Sequence, residues 1–148
     1  MQLTRFTDYA FRVLIHLGHH PDVLATVGAL AAEHGISRHH LTRVVYQLGL
    51  KGYIETVRGK GGGFRLARRP TDIRLGDVVR DMEPALELAE CFRPGEVGCI
   101  LLPACALKSF LADAGDAFLA SLDRHTLADL IRPVSLPTPT VRRKAPNR

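Results

Sequence analysis

The feature of the sequence that most limits its fold is a pair of capped helical segments followed by a basic hairpin. Thr26 can cap a short helix over about Val27 to His34, and Gly35 can adopt the left-handed conformation that ends a helix. Ser37 can cap a second helix, whose apolar residues recur at helical spacing. Two helices joined by a short turn with glycine are typical of the helix-turn-helix, whose second helix enters the major groove of DNA.

The second helix leaves polar and basic side chains at its start and on its outer face. Side chains in such positions reach base edges and phosphates. We therefore predict that double-stranded operator DNA is contacted by Ser37, Arg38, His39, His40, Thr42 and Arg43. An antiparallel helix pair with a polar exposed side would explain the same residues, but the next segment favours DNA binding.

Two short strands are predicted at Tyr53 to Arg58 and Phe64 to Ala67, joined by a glycine-rich connection. Between Arg58 and Arg69 lie five Lys or Arg residues and no acidic residue. A hairpin this basic is typical of a wing that lies along the phosphate backbone, and we assign Arg58 and Lys60 to DNA contact. A phosphate-binding nucleotide loop is rejected because glycine, not Ser or Thr, follows Lys60.

Charge is distributed unevenly along the 148 residues, although the net charge is only +5. Residues 1–80 carry 12 Lys or Arg against 6 Asp or Glu, whereas residues 81–132 carry 4 against 9. The basic first half suggests a polyanionic partner, and the acidic second half argues against indiscriminate coating of nucleic acid.

No stretch resembles a membrane span or a signal peptide, which predicts a cytoplasmic protein without a membrane partner.

The whole pattern predicts a mainly α fold with a small β-hairpin: a winged helix-turn-helix domain plus a long dimerisation helix. The dimerisation helix is expected after Pro103, where apolar residues follow near-heptad spacing, although the same stripe could pack on its own domain. A symmetric dimer would match two DNA half-sites. The predicted division is a DNA-binding domain at 1–80, a short helix and cysteine loop at 81–104, dimerisation helices at 105–132 and a disordered tail at 133–148.

All three cysteines of the chain, Cys91, Cys99 and Cys105, lie within fifteen residues. An odd number of thiols argues against a closed set of disulfides. Their C-x7-C-x5-C spacing fits neither the common zinc pattern nor that of bacterial ferredoxins, so it leaves an ambiguous soft-metal site. Thiolates are favoured by nearby Arg93 and by the position of Cys105 on the first turn of a helix. A fourth ligand must come from elsewhere in the chain or from a partner.

Four motifs, in order from Met1 to about Ile131, resemble the family of dimeric iron-sulfur winged-helix regulators, and within it the nitric-oxide-sensing repressors. The motifs are Leu3-Thr-Arg-Phe-Thr-Asp-Tyr-Ala-Phe-Arg12, Val57-Arg-Gly-Lys-Gly-Gly-Gly-Phe-Arg-Leu66, Ile73-Arg-Leu-Gly-Asp-Val-Val-Arg80 and Thr126-Leu-Ala-Asp-Leu130.

The resemblance implies that Cys91, Cys99 and Cys105 hold an iron-sulfur cluster and that Asp8 of the partner subunit is the fourth ligand. A 4Fe-4S cluster is favoured and 2Fe-2S is the alternative. A relative that regulates cluster assembly uses a histidine ligand near its cysteines, and no histidine lies between His40 and His125. One departure is that the seven residues between Cys91 and Cys99 exceed the number expected for such regulators.

The implied function is that of a homodimeric repressor that senses nitric oxide. Nitrosylation of the cluster is expected to release operator DNA. A carboxylate is a harder ligand than a thiolate, so the iron bound by Asp8 should be the most easily attacked. We hypothesise that freed Asp8 then pairs with Arg12, one helical turn further on. The alternatives are a regulator of the same family with a different signal and a zinc-bound or cluster-free DNA-binding protein. An enzyme is not expected, because no G-x-S-x-G motif or cysteine-histidine signature is present.

Overall fold

The computed structural model describes residues 2–84, 86–95 and 98–132, and the tail predicted at 133–148 lies outside the described residues. The fold is mainly helical with one antiparallel hairpin, which confirms the predicted class. Short 3-10 helices occur at Pro70–Asp72, Glu90–Phe92 and Leu102–Ala104. The regular elements are α1 (Arg5–His19), α2 (Val27–His34), α3 (Arg38–Leu50), β1 (Ile54–Val57), β2 (Gly63–Leu66), α4 (Leu75–Met82), α5 (Ala106–Asp123) and α6 (Leu127–Leu130).

The first helix begins at Arg5 because Thr4 is its N-cap. The Thr4 hydroxyl accepts a hydrogen bond from the Thr7 amide at 3.3 Å. The Thr4 amide and hydroxyl donate to Glu83 Oε1 at 2.7 and 3.1 Å. Since Glu83 directly follows α4, the start of α1 is fixed to the end of α4.

The helix-turn-helix has the predicted boundaries and caps. Thr26 and Ser37 accept hydrogen bonds from the amides three residues on, at 3.2 Å in both cases. Gly35 ends α2 with φ 64°, a conformation in which a Cβ would be strained. Ile36 is buried at the turn and packs the two helices together.

The core is built around α1 and reaches both ends of the described chain. The buried residues of α1 are Thr7, Ala10, Val13, Leu14 and Leu17. Leu127 of α6 is fully buried in the same core. Its amide donates to the Ile73 carbonyl at 2.8 Å, so α6 returns to the DNA-binding half of the chain.

The long helix α5 is held at its C-terminal end. Arg80 donates two hydrogen bonds to the Asp123 carboxylate, at 2.7 and 2.6 Å. These bonds hold the pKa of Asp123 below its usual value. None of the 18 residues of α5 is buried in the described chain. Within the described residues, every helix is too short or too polar to span a membrane.

Candidate DNA-binding surface and cysteine segment

The start and outer face of α3 present every side chain that was assigned to DNA contact on this helix. Arg38, His39, His40, Thr42 and Arg43 are all exposed, while Leu41, Val44 and Leu48 face the core. The Thr42 hydroxyl donates to the Arg38 carbonyl at 2.7 Å, which leaves its oxygen free to accept a hydrogen bond. The amphipathic pattern therefore presents a continuous polar surface.

Tyr46, which is not among the predicted DNA contacts, is also exposed on α3, one turn after Thr42. Sequence reasoning also missed a groove between α1 and α3, lined by Arg5, Phe6, Tyr9, His40 and Arg43. Spacing of four residues from Thr42 would have indicated Tyr46. The groove depends on the packing of two helices that are distant in sequence, so no local signal indicates Arg5.

The hairpin aligns Ile54 with Leu66 and Val57 with Gly63. Of its basic residues, Arg65 is paired with Glu55 across the strands at 2.6 Å. Arg68 donates to the Lys51 carbonyl at 2.8 Å and lies 4.9 Å from the centre of the Tyr53 ring. Arg69 is paired with Asp72 at 2.9 Å.

Arg58 and Lys60 remain at the tip, exposed and without an acidic partner among the described residues. Gly59 and Gly61 have φ of 110° and 78°, values that permit the tight connection between the strands. The two basic side chains of the hairpin without an acidic partner in the described residues thus lie at its tip, and their contact with DNA stays a prediction.

A partly buried contact holds the base of the hairpin to α4. The Tyr53 hydroxyl donates to Asp81 at 2.7 Å, and Lys51 pairs with the other oxygen of this carboxylate at 2.8 Å. Burial and the Asp81 hydrogen bond raise the pKa of Tyr53 far above its usual value, so the phenol remains a donor. Burial opposes ionisation of Asp81, but the hydrogen bonds from Lys51 and Tyr53 outweigh it and hold the pKa of Asp81 below its usual value.

Asp8 and Arg12, the predicted switch residues, lie together on the exposed side of α1. The Arg12 guanidinium is 2.9 Å from the Asp8 carboxylate, and about half of each side chain is exposed. The structure thus brings together the pair hypothesised for the released state. Within one chain, Asp8 and the cysteines do not form a group of possible ligands for one ion in the described residues.

The cysteine segment is irregular, with two single-turn 3-10 helices between α4 and α5. Cys91 lies in the first of these and is partly buried, Cys99 is exposed, and Cys105 is partly buried as the N-cap of α5. Cys105 is therefore one residue before the helical turn on which it was predicted. Arg93, expected to favour a thiolate, is paired with Glu87 at 2.9 Å, so this carboxylate offsets its charge.

The chemistry of the donor set fits an iron-sulfur cluster. All three cysteines are free, and thiolates are the usual ligands of such clusters. Among the described residues, the three sulfurs do not form a group within 4.8 Å of one another, as ligands of one ion would.

Exposed apolar residues lie near two of these cysteines in the sequence. Ile100 and Leu101 are 92% and 65% exposed, and Leu107 and Phe110 of α5 are 61% and 65% exposed. Ile100 and Leu101 also line a shallow pocket with Ala104 and Cys105. An apolar patch of this kind marks an interaction surface in a folded protein.

Sequence comparison relates the chain to known regulators. The Rrf2 family, described as "Iron-dependent Transcriptional regulator", matches residues 3–133. The chain is 50% identical over 132 residues to the "HTH-type transcriptional regulator NsrR" of Geobacillus kaustophilus (strain HTA426), covering 88% of this chain and 90% of that protein. The protein of the same name from Bacillus subtilis (strain 168) is 45% identical over 133 residues, covering 89% and 91%.

Structural comparison gives the same grouping. The structure of "T. potens IscR" is similar with a TM-score of 0.70 and 25% identity, covering 88% of this chain and 86% of that chain. The oxidized form of Staphylococcus aureus CymR has a TM-score of 0.73 and 26% identity, covering 92% and 100%.

Proposed function

Because the chain belongs to the Rrf2 family of transcriptional regulators, we propose that it is a homodimeric repressor that senses nitric oxide through an iron-sulfur cluster. Family membership confirms the resemblance drawn from the sequence motifs, and it makes the chain a DNA-binding regulator, not an enzyme. The dimer, the cluster and the signal are the proposed parts.

The proposed DNA contacts are Arg38, His39, His40 and Arg43 on α3, with Ser37 at its cap and Thr42 beside them. Arg58 and Lys60 at the wing tip would reach the flanking backbone. This assignment is supported by the exposure of these side chains and by the engagement of Arg65, Arg68 and Arg69 within the hairpin. Base contacts from α3 supply specificity, while the wing cations supply salt-dependent affinity.

The proposed dimer forms through α5 and the residues just before it. The observation that carries this proposal is the concentration of exposed apolar side chains at Ile100, Leu101, Leu107 and Phe110. A second copy of the chain is the partner that the resemblance to dimeric regulators implies, and it would match an operator with two half-sites. Such an interface would also cover Cys99 and Cys105, whose surroundings are otherwise open to solvent or only partly buried.

Cys91, Cys99 and Cys105 would hold the cluster, with Asp8 of the partner subunit as the fourth ligand; 4Fe-4S is favoured over 2Fe-2S. When bound, the cluster supplies iron that reacts with nitric oxide. Asp8 has two proposed roles. As a ligand it restrains α1, and when released it pairs with Arg12 on the same helix. The 2.9 Å Asp8–Arg12 contact supports the second role, because that pairing needs no rearrangement of the helix.

The test is anaerobic purification of the full chain, analysis of iron and sulfide, and measurement of operator affinity during titration with nitric oxide. We expect a coloured dimer whose affinity falls about 100-fold, a change of about 2.7 kcal/mol that is typical of allosteric coupling. Asp8→Ala should weaken or abolish the response to the gas. The matched control is Asp22→Ala, which removes an exposed acid outside α1 and should leave the response intact.

A colourless protein that binds operator equally with and without nitric oxide would contradict the sensor assignment. If the cluster were intact and Asp8→Ala responded like the unmodified chain, only the ligand role of Asp8 would be wrong. Serine substitution of the three cysteines should remove the colour and the response together, while operator binding through α3 is measured as a check on the fold.

A further inference from the structure

A second set of ligand-type side chains lies outside the cysteine segment, where α1 meets α2. It comprises His16 from α1 and Glu33 and His34 from the last turn of α2. One ligand atom from each of the three lies within 4.8 Å of the other two. Within residues 2–84, 86–95 and 98–132, this is the only such group of histidine, cysteine and acidic side chains.

The geometry of this group is close to that of a metal site. His16 Nδ1 lies 3.3 Å from Glu33 Oε1. Two donor atoms that each lie about 2.0 Å from a tetrahedral ion are separated by roughly 3.3 Å. The His16 side chain is 17% exposed and the Glu33 side chain is 54% exposed, so the imidazole donor is partly removed from competing water while the carboxylate lies at the surface.

His34 supplies an independent indication of a ligand. Its Nε2 is buried and has no hydrogen-bond partner among the described residues. Buried polar atoms are nearly always paired, so an unpaired ring nitrogen indicates a missing partner. The rings of His34 and His16 are 6.1 Å apart and inclined at 77°, an edge-to-face arrangement.

We propose that His16, Glu33 and His34 bind one divalent transition-metal ion of the zinc class, with water as the fourth ligand. Imidazole nitrogen with one carboxylate is a donor set that suits Zn²⁺ and Co²⁺, whereas Mg²⁺ and Ca²⁺ prefer sites made only of oxygen. With three protein ligands, the fourth position stays open to exchange. The ion would cross-link α1, which carries Asp8, to the first helix of the helix-turn-helix.

The experiment measures Zn²⁺ binding by calorimetry under anaerobic conditions. The three thiols would also bind zinc, so the full chain is used with Cys91, Cys99 and Cys105 replaced by serine, and circular dichroism checks its fold. We expect one equivalent of Zn²⁺ to bind and Mg²⁺ not to bind. Adding His34→Gln should weaken Zn²⁺ binding by more than about 100-fold, because it removes a direct ligand. The matched control His125→Gln alters an exposed histidine outside the group and should change nothing.

Two further readouts keep the result decisive. Zinc at 100 times its dissociation constant should raise the unfolding midpoint by about 5 to 10 °C, and His34→Gln should abolish this rise. In the unmodified chain loaded with its cluster, Co²⁺ should give visible d–d bands without a thiolate charge-transfer band. Equal zinc binding with and without His34, or cobalt bands of thiolate type only, would overturn the proposal. These outcomes do not depend on the nitric-oxide response, so this site and the sensor can fail separately.

Discussion

The substitution Phe110→Asp tests whether α5 forms the dimer interface. Phe110 and Leu107 lie three residues apart, on one face of an 18-residue helix that has no buried residue in the described chain. Because Phe110 is 65% exposed in the protomer, a charge at this position should leave the fold of the protomer intact. In the dimer the same charge would be buried without a partner.

The size of the effect follows from the area that association would cover. A phenylalanine presents about 200 Å² when fully exposed, so the exposed part of Phe110 amounts to roughly 130 Å². At about 25 cal/mol per Å², burying it contributes roughly 3 kcal/mol per protomer and roughly 6 kcal/mol per dimer. If only half of that area is covered, the loss is still roughly 3 kcal/mol, a weakening of dimerisation by more than about 100-fold.

The assay is analytical ultracentrifugation over a range of concentrations, with circular dichroism to confirm the helical content. The matched control is Ser109→Asp, which introduces the same charge about 100° around the helix from Phe110. We expect the control to remain dimeric while Phe110→Asp becomes monomeric and loses affinity for a two-site operator. An unchanged dimerisation constant in Phe110→Asp, with its fold intact, would refute the assignment of the interface to this face of α5.

Three further predictions concern stability. Tyr53→Phe removes the hydrogen bond to Asp81 and should lower the free energy of unfolding by about 1 to 2 kcal/mol in urea titrations; no change would mean that the contact is not formed in solution. The depressed pKa of Asp81 adds stability above the pKa of the unfolded carboxyl, near 4, and this stability is lost as the pH falls through the lower pKa of the folded state. Asp81→Asn should therefore weaken the dependence of the free energy of unfolding on acid pH, and an unaltered pH profile would contradict this. Leu127→Ala should cost about 2 to 5 kcal/mol in the same titrations, and a cost under 1 kcal/mol would show that α6 does not complete the core.

The helix-turn-helix and the hairpin could be predicted closely because their signals are local. Thr26 and Ser37 cap the helices that directly follow them, and Gly35 ends the helix that directly precedes it. The cations at the wing tip follow from strand pairing across a short glycine-rich connection. Each of these features depends on residues no more than twelve positions apart, where propensity, capping and turn residues decide the structure.

Features that depend on distant contacts could not be predicted. No local pattern indicates that Thr4 binds Glu83 and joins the start of α1 to the end of α4, because 79 residues separate the two. For the same reason the chain gave no sign that His16 and His34 meet, since each alone is an ordinary histidine near the end of a helix. The ligand set of the cysteines came from family resemblance, and its assignment to particular residues stays a prediction.

The contacts of α1 indicate how the loss of the proposed ligand bond at Asp8 reaches the DNA-binding surface. Thr7, directly before Asp8, is fully buried, and Thr4 joins the start of the helix to Glu83 at the entry to the cysteine segment. The Asp8–Arg12 pair alone is too weak to act as a switch, because a half-exposed pair at this spacing contributes about 0.2 to 0.5 kcal/mol, against about 2.7 kcal/mol for a 100-fold change in affinity. If Asp8 is the cluster ligand proposed above, most of the difference would come from that bond and from repacking of α1 against α3, because a close-packed core shifts between discrete arrangements and does not deform continuously.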